Sequence, residues 1–337
     1  MKSASLPLLR REFIALLGGV AASSVWPVEA GAQQRAKVWR VGFLAGGSRP
    51  AVLVTSIYGG FLRGMREIGL VEGKDFSMEW RFAEGRFELL PDLAAELVRQ
   101  NVDVIVLGTG MAVPAARGAT KTIPIVMASA IDPVGRGFVA SLAHPGGNIT
   151  GLASSLQDTA SKQVALLTMA LPDLTRIGAV VHPDSGSVLV LDAARSAAKN
   201  AGREFVPVEI RSPDEVASAF ATLADQHVDA IMVITSAFFI SQRERIAEIA
   251  RKLRMPTIFA EREYMEAGGL MSYGESIYDF YRRAAFYVDK IFKGAKPSEL
   301  PVQQPTRFFL AINRKTADAI GFTIPLQLLV AADEVIE

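Results

Sequence analysis

A doubly wound α/β fold built as two similar lobes is what this sequence predicts, and three observations predict it. Short apolar runs alternate with segments of helical spacing through most of the chain. The runs are apolar throughout rather than on every second residue, as in parallel strands covered on both faces. The alternation then begins again: NVDVIVLGTG at 101 is echoed by HVDAIMVITS at 227, and KTIPIVMAS at 121 by LRMPTIFAE at 253. Strand–helix alternation specifies a parallel sheet with helices on both faces. An echo at a spacing of about 130 residues specifies two copies of that architecture.

Taken in order, KVWRVGFLAG (37–46) reads as a buried strand. The stretch 52–70 has helical spacing through Phe61, Leu62, Met65 and Ile68, and FSMEWRFAEG (76–85) alternates as a strand does. FELLPDLAAELVRQ (87–100) is an amphipathic helix with Leu90, Leu93, Leu97 and Val98 on one face. VDVIVLGTG (102–110) and IPIVMASA (123–130) are apolar strands. In the second half TRIGAVVHP (175–183), EFVPVEI (204–210), VDAIMVITS (228–236) and MPTIFAE (255–261) are strands. Helices over 187–202, 212–226 and 241–253 separate them, the second opened by Ser212 with acidic residues in its first turn.

Ahead of the first strand stands LLRREFIALLGGVAASS. Lys2, Arg10 and Arg11 are basic, Phe13 to Val25 is apolar, and Ala30-Gly31-Ala32 offers an A-x-A cleavage site. That is the layout of a secretory signal, and its apolar run is well short of the ~20 residues that span a bilayer. The Arg10-Arg11 pair resembles a twin-arginine address, although Leu9 stands where Ser or Thr is usual, so general secretion fits as well. Residues 1–32 are therefore expected to be a cleaved signal peptide and the protein to be periplasmic. Cleavage removes three of 36 basic and two of 35 acidic residues, leaving 33 of each. A neutral chain lacks the basic face that nucleic acid requires and any polybasic membrane patch. There is no cysteine, hence no disulfide, no thiolate metal site and no lipidated cysteine.

In two facing α/β lobes the loops after the strands meet across a cleft, where ligands bind. On the first lobe these loops carry Gly46, Gly47 and Ser48, then Thr109 and Gly110 beside Met111, then Ser129 and Asp132. On the second they carry His182, Asp184 and Ser185, then Ser236, then Glu261; Tyr273 sits on a later segment, Ser272-Tyr273-Gly274. Small polar loops running into helices suit a carboxylate, with Thr109 and Ser129 hydroxyls assisting the helix start after Gly108 and Asp132 or Asp184 meeting an amine. A plainer reading of each loop is a turn; Asp132 before Pro133 fits both readings, as does His182. Catalytic equipment is sparse. His144, His182 and His227 have no metal-ligand spacing. No HExxH, GxSxG or Walker A stretch occurs, and Gly108-Thr109-Gly110 lacks the third glycine of a dinucleotide fingerprint. No enzyme activity, metal or cofactor is expected.

The stretch IDPVGRGFVASLAHPGGNITGLASS (131–155) carries a DPV…SLA.PGGN.TG pattern. In that pattern, and in FLRGMREIGLVEGKDFSMEWRFAEGR (61–86), GGLMSYG (268–274) and LAINRKTADAIGFTIPLQLLVAADEVIE (310–337), the chain resembles the ABC transporter substrate-binding proteins. His144, where Arg is common, and Gly110-Met111, where small residues usually follow Thr, depart from it. The resemblance implies a type I periplasmic-binding-protein fold, with 36–150 plus 275–304 as one lobe and 151–274 plus 305–337 as the other. It places hinge crossings at 147–151, 272–274 and about Gln304-Pro305-Thr306. Helix 277–294 would return to the first lobe, with Tyr278, Tyr281, Phe286, Tyr287 and Phe292 mainly in packing. It implies a monomeric receptor that binds a small-molecule ligand, such as an amino acid, and hands it to an ABC transporter permease, touching the membrane only through that partner. Two other classes remain: a periplasmic ligand sensor for a membrane signalling receptor, and an enzyme on the same scaffold. A transcriptional regulator is excluded, since no helix-turn-helix precedes Val38.

Overall fold

The computed structural model describes residues 37–183, 185–305 and 307–337, with the backbone alone at 157, 185, 186 and 237. The proposed signal peptide and its cleavage site at Ala32 lie outside the described residues. From Val38 onward the chain forms one compact unit.

The first lobe alternates as its sequence does: β1 (Trp39–Ala45), α1 (Gly59–Glu67), β2 (Phe76–Phe82), α2 (Leu90–Arg99), β3 (Val104–Leu107), α3 (Val113–Ala119), β4 (Ile125–Ile131) and β5 (Ile149–Ser154). Its sheet has the order β2-β1-β3-β4-β5, every pair parallel. The helix expected over 52–70 is shorter, because Ser56 Oγ and N both turn back to Leu53 O (2.7 and 3.2 Å) and delay its start. Pairing of β5 with β4 runs as far as Ile131↔Ser154, so the chain leaves this sheet after Ser154 rather than within 147–151.

The second lobe continues with α4 (Leu156–Ala170), β6 (Arg176–Val181), α5 (Ser185–Asn200), β7 (Glu204–Glu209), α6 (Glu215–Asp225), β8 (Ala230–Val233), α7 (Ala237–Ser241), α8 (Arg243–Lys252), β9 (Thr257–Phe259), α9 (Glu263–Glu266) and β10 (Met271–Gly274). Then α10 (Ile277–Phe292) intervenes before β11 (Phe309–Asn313), α11 (Arg314–Ile320), α12 (Leu326–Ala331) and β12 (Glu334–Ile336). The sheet order is β12-β11-β10-β9-β8-β6-β7. Its one antiparallel pairing among the described residues is β10 with β11, because β11 follows a return from the other lobe. Residues of α4 and α5 bury one face of this sheet and residues of α6 and α8 the other.

α10 lies on the first lobe. Phe280, Tyr281, Ala284, Ala285, Tyr287 and Val288 enter the same core as Val41, Phe43 and Phe61, and Trp39 stacks on Phe292 at 4.4 Å. Close approach of α1 and α10 requires glycine: a Cβ at Gly60 would stand 2.3 Å from Tyr278 O, and one at Gly64 2.2 Å from Arg282 O. The lobes are thus joined where β5 leads to α4, where β10 leads to α10, and between Gln303, which bridges Leu152, and β11. Thr306, named in the third expected crossing, lies outside the described residues. Glu275 braces the first two crossings, its carboxylate accepting from Ser154 Oγ (2.6 Å) and Ser155 N (2.7 Å).

Candidate ligand-binding site

The parallel strands β1–β5 and β6–β10 point their carboxyl ends at the cleft, which holds a cavity of about 110 Å³, while β11 and β12 run the other way. A buried water needs roughly 10–15 Å³ of such space, so the cavity has room for a small organic molecule.

The first-lobe wall comes from three loops. Gly46 and Gly47 follow β1, Gly108, Thr109, Gly110 and Met111 follow β3, Ser129 and Ile131 lie at the end of β4, and Arg136 follows it. Thr109 is extended and its Oγ1 accepts from Met111 N (3.4 Å), capping a 3₁₀ turn over Gly110–Ala112 ahead of the short α3. Tyr281 reaches across from α10, and its hydroxyl donates to Gly108 O (3.1 Å). Arg136 brings a guanidinium to this wall; a Cβ at Gly110 would come 3.6 Å from its Nη1.

The second-lobe wall comes from Leu156, Thr235, Ser236, Ile240 and Glu261. Ser236 is extended and caps α7, its Oγ accepting from Phe239 N (3.1 Å). Glu261 ends β9's loop and is 2% exposed. Burial pushes its carboxyl up to about 8, a shift that the neighbouring carboxylates Glu263 and Glu275 increase. The Thr235 hydroxyl is the strongest influence opposing that shift, yet neither its Oγ1 nor Glu261 Oε1 completes a hydrogen bond. Glu275, Ile277 and Phe280 close the cavity at the hinge. Burial raises the Glu275 carboxyl to about 7, against its bonds to Ser154 and Ser155. Ile57 and Tyr58 complete the apolar lining; Tyr58 stacks on Tyr281 with ring centres 5.5 Å apart.

Of the residues singled out from sequence, Gly46, Gly47, Thr109, Gly110, Ser129, Ser236 and Glu261 line this cavity. Ser48, Asp132, His182 and Tyr273 are not among its lining residues. Asp132 shapes a turn instead: it has φ +43° and accepts from Gly135 N at 2.9 Å. Tyr273 stacks on Phe308 at 6.1 Å. His182 stacks on Phe238 at 4.8 Å and meets Phe87 of the first lobe edge-on at 6.0 Å, so it joins the lobes beside the cavity. Asp184 and the Ser185 side chain lie outside the described residues. Thr235 was expected only as part of the Thr235-Ser236-Ala237 cleft loop, and Arg136, Glu275, Ile57, Tyr58 and Phe280 were not expected from sequence. Arg136 sits inside the DPVGRG stretch, where a lone Arg between glycines could have pointed to it. Among the described residues no group of His, Asp and Glu could hold a metal ion, and no helix is long and apolar enough to cross a membrane.

Known proteins share this arrangement. The fold matches the crystal structure of a conserved domain protein from Vibrio cholerae o1 biovar eltor, with a TM-score of 0.80, 29% identity, and 89% of this chain covering 100% of that one. It matches equally the ABC domain from Streptococcus pneumonia in complex with L-Trp, with a TM-score of 0.80, 27% identity, and 89% against 100% coverage. A tyrosine-binding protein of Clostridioides difficile (strain R20291) is 25% identical over 262 residues, 77% of this chain and 75% of its own. The profile of the ABC transporter substrate binding protein family matches residues 48–336, so the two lobes and their cleft are those of a type I periplasmic binding fold, and the chain belongs to that family.

Proposed function

We propose that this protein is the exported, monomeric solute receptor of an ABC importer and that its ligand is an L-amino acid with an apolar or aromatic side chain. The observation that carries this reading is the charge placed on facing walls. Arg136 lies on the first-lobe wall and Glu261 on the second, with Ile57, Tyr58, Ile277, Phe280 and Tyr281 between them. A zwitterion with an apolar side chain matches that distribution, and few polar groups in an apolar pocket are what fix a small ligand. On this reading the carboxylate lies toward Arg136, Thr109 and Ser129. The relatives described as tyrosine-binding and as an L-Trp complex support the same chemical class. Ligand contacts to both lobes bias them toward the closed form, which the permease then receives. N-terminal residues 1–32 act as the export signal, cleaved in the periplasm.

Thermal unfolding against a panel of L-amino acids, aromatic acids, sugars and nucleobases tests this. A compound that binds only the folded state stabilises it by about 2.7 kcal/mol at 100 times its Kd. A raised midpoint with an apolar or aromatic amino acid, recovered unchanged, is expected. A shift with sugars alone, or recovery of an altered compound, would overturn the reading.

A further inference from the structure

Glu261 is buried in the second-lobe wall with Oε1 lacking a hydrogen-bond partner, and the Thr235 hydroxyl beside it lacks one too. Buried polar atoms are almost always paired, and a buried carboxylate without compensation is among the costliest arrangements a fold can hold. Its surroundings increase the cost. The charged groups acting on it are Glu263 and Glu275, both acidic. Tyr264, next in the packing, has an unpartnered buried hydroxyl, and the cation that acts on that tyrosine, Arg243, is already engaged with Ile240 O (3.1 Å) and Glu244 (3.6 Å). Of these residues Glu261 and Thr235 line the cavity and Tyr264 does not. The groups suited to a carboxylate, Arg136, Thr109 and Ser129, stand on the opposite lobe.

From this partition we infer that Glu261 and Thr235 form an ammonium subsite that makes a cationic group on the ligand a condition of lobe closure. The inference rests on the amino-acid reading for its choice of ligand. A carboxylate without an ammonium docks on the first lobe alone, because closing over it would seal Glu261 against no counter-charge. An amine without a carboxylate docks on the second lobe alone. Only a molecule carrying both spans the cleft. Closure without an ammonium requires Glu261 to take up a proton, since burial raises its carboxyl from 4.5 to about 8. Acid therefore relaxes the requirement, by up to tenfold for each pH unit between about 8 and 4.5. Glu263 and Glu275 also titrate upward, and Glu275 lines the cavity too, so the Glu261→Gln variant is what separates their share of the pH dependence from that of Glu261.

The test is calorimetric titration of the purified protein with L-tryptophan, L-tyrosine, indole-3-propionate, 3-(4-hydroxyphenyl)propionate and tryptamine at pH 7.5 and 5.5, with closure read as a fall in radius of gyration. At pH 7.5 the amino acid should bind at least about 100-fold more tightly than its deaminated counterpart, and it alone should close the lobes. The gap should narrow at pH 5.5. Glu261→Gln should abolish most of the preference, and Thr235→Val, a near-isosteric change that keeps the carboxylate, should reduce it. Equal binding and closure with the deaminated acids, or an unaltered preference in Glu261→Gln, would overturn the inference. Binding of tryptamine through Glu261 with no amino acid bound would sink the amino-acid reading and leave the subsite standing. If no ammonium-bearing probe binds, both fall.

Discussion

Glu275→Gln should make the protein more stable at alkaline pH while changing little in acid, and the magnitude follows from the hinge. Glu275 is 5% exposed. Its Oε2 accepts from Ser154 Oγ at 2.6 Å and its Oε1 from Ser155 N at 2.7 Å. Those bonds and Arg283 favour the ionised form, but burial outweighs them, and the carboxyl rises from 4.5 to about 7. That displacement corresponds to about 3 kcal/mol between the two protonation states. Below 4.5 both folded and unfolded chains hold the proton and pH has no leverage. Between 4.5 and 7 the unfolded chain ionises while the folded one keeps its proton, so stability falls as pH rises. Above 7 the folded protein carries the whole penalty.

Gln keeps the shape, and its carbonyl can still accept from Ser155 N while the Ser154 hydroxyl turns to accept from the new amide. It cannot ionise, so it escapes the penalty. The midpoint of Glu275→Gln minus that of wild type should therefore climb by roughly 6–12 °C between pH 4.5 and 8, taking about 2–4 °C per kcal/mol. Parallel thermal melts of the two ligand-free proteins from pH 4 to 9 measure it. A difference that stays flat across that range would refute the reasoning, because it would mean that the carboxyl is not held neutral by burial.

Gly64→Val drives a side chain into Arg282 O and should cost about 1–3 kcal/mol by overpacking α1 against α10, seen as a midpoint lowered by several degrees. An unchanged midpoint would mean that the helices separate freely. Tyr281→Phe removes the bond to Gly108 O. It should cost about 1 kcal/mol in chemical denaturation and weaken binding by loosening the 108–111 loop; tighter binding would argue against that support. Arg136→Gln should lower affinity for L-tryptophan by roughly 10–100-fold, the value of a hydrogen bond to a charged group, and leave tryptamine unaffected. Equal losses for both compounds in calorimetry would place Arg136 away from the carboxylate.

Much of this fold was legible because the chain repeats one pattern whose period changes at each boundary. The runs at 102–110 and 228–236 became β3 and β8, and the loops after them supply Thr109, Gly110 and Ser236 to the cavity. A parallel sheet makes that inference possible, since its strand ends share one edge. The third crossing defeats it. β11 returns from a distant segment and pairs antiparallel with β10, and a short apolar run does not state its direction. The helix expected from 52 began only at Gly59, because periodicity reads the apolar face and misses the Ser56 turn. In the site, small loops were found by position, but Arg136 was not, because its place depends on how the 132–137 turn is wound. Asp132 fitted a turn and a ligand group equally well, and its bond from Gly135 N is the turn role. Tyr58, Phe280 and Tyr281 came into the wall from helices, where an aromatic on an apolar face reads the same whether it meets core or ligand.

Three carboxylates lie buried within fifteen positions of one another, and comparing how each is satisfied separates their roles. Glu275 has both oxygens bonded, to the two residues at the start of the neighbouring crossing. Glu263 accepts from Ser276 Oγ (3.2 Å) and Tyr278 N (3.1 Å) through one oxygen, holding the start of α10, while its second oxygen has no partner. Glu261 faces the cavity with an unpartnered oxygen and an unpartnered hydroxyl beside it. Burial raises all three, so desolvation alone would rank them alike. What differs is where the uncompensated oxygen lies: none at the hinge, one behind the helix start, one on a residue that lines the cavity. A fold that satisfies both oxygens of Glu275 from its own chain has the means of satisfying a carboxylate this deep. Leaving Glu261 open toward the cavity is therefore the feature that a ligand's positive charge would explain, and packing alone would not.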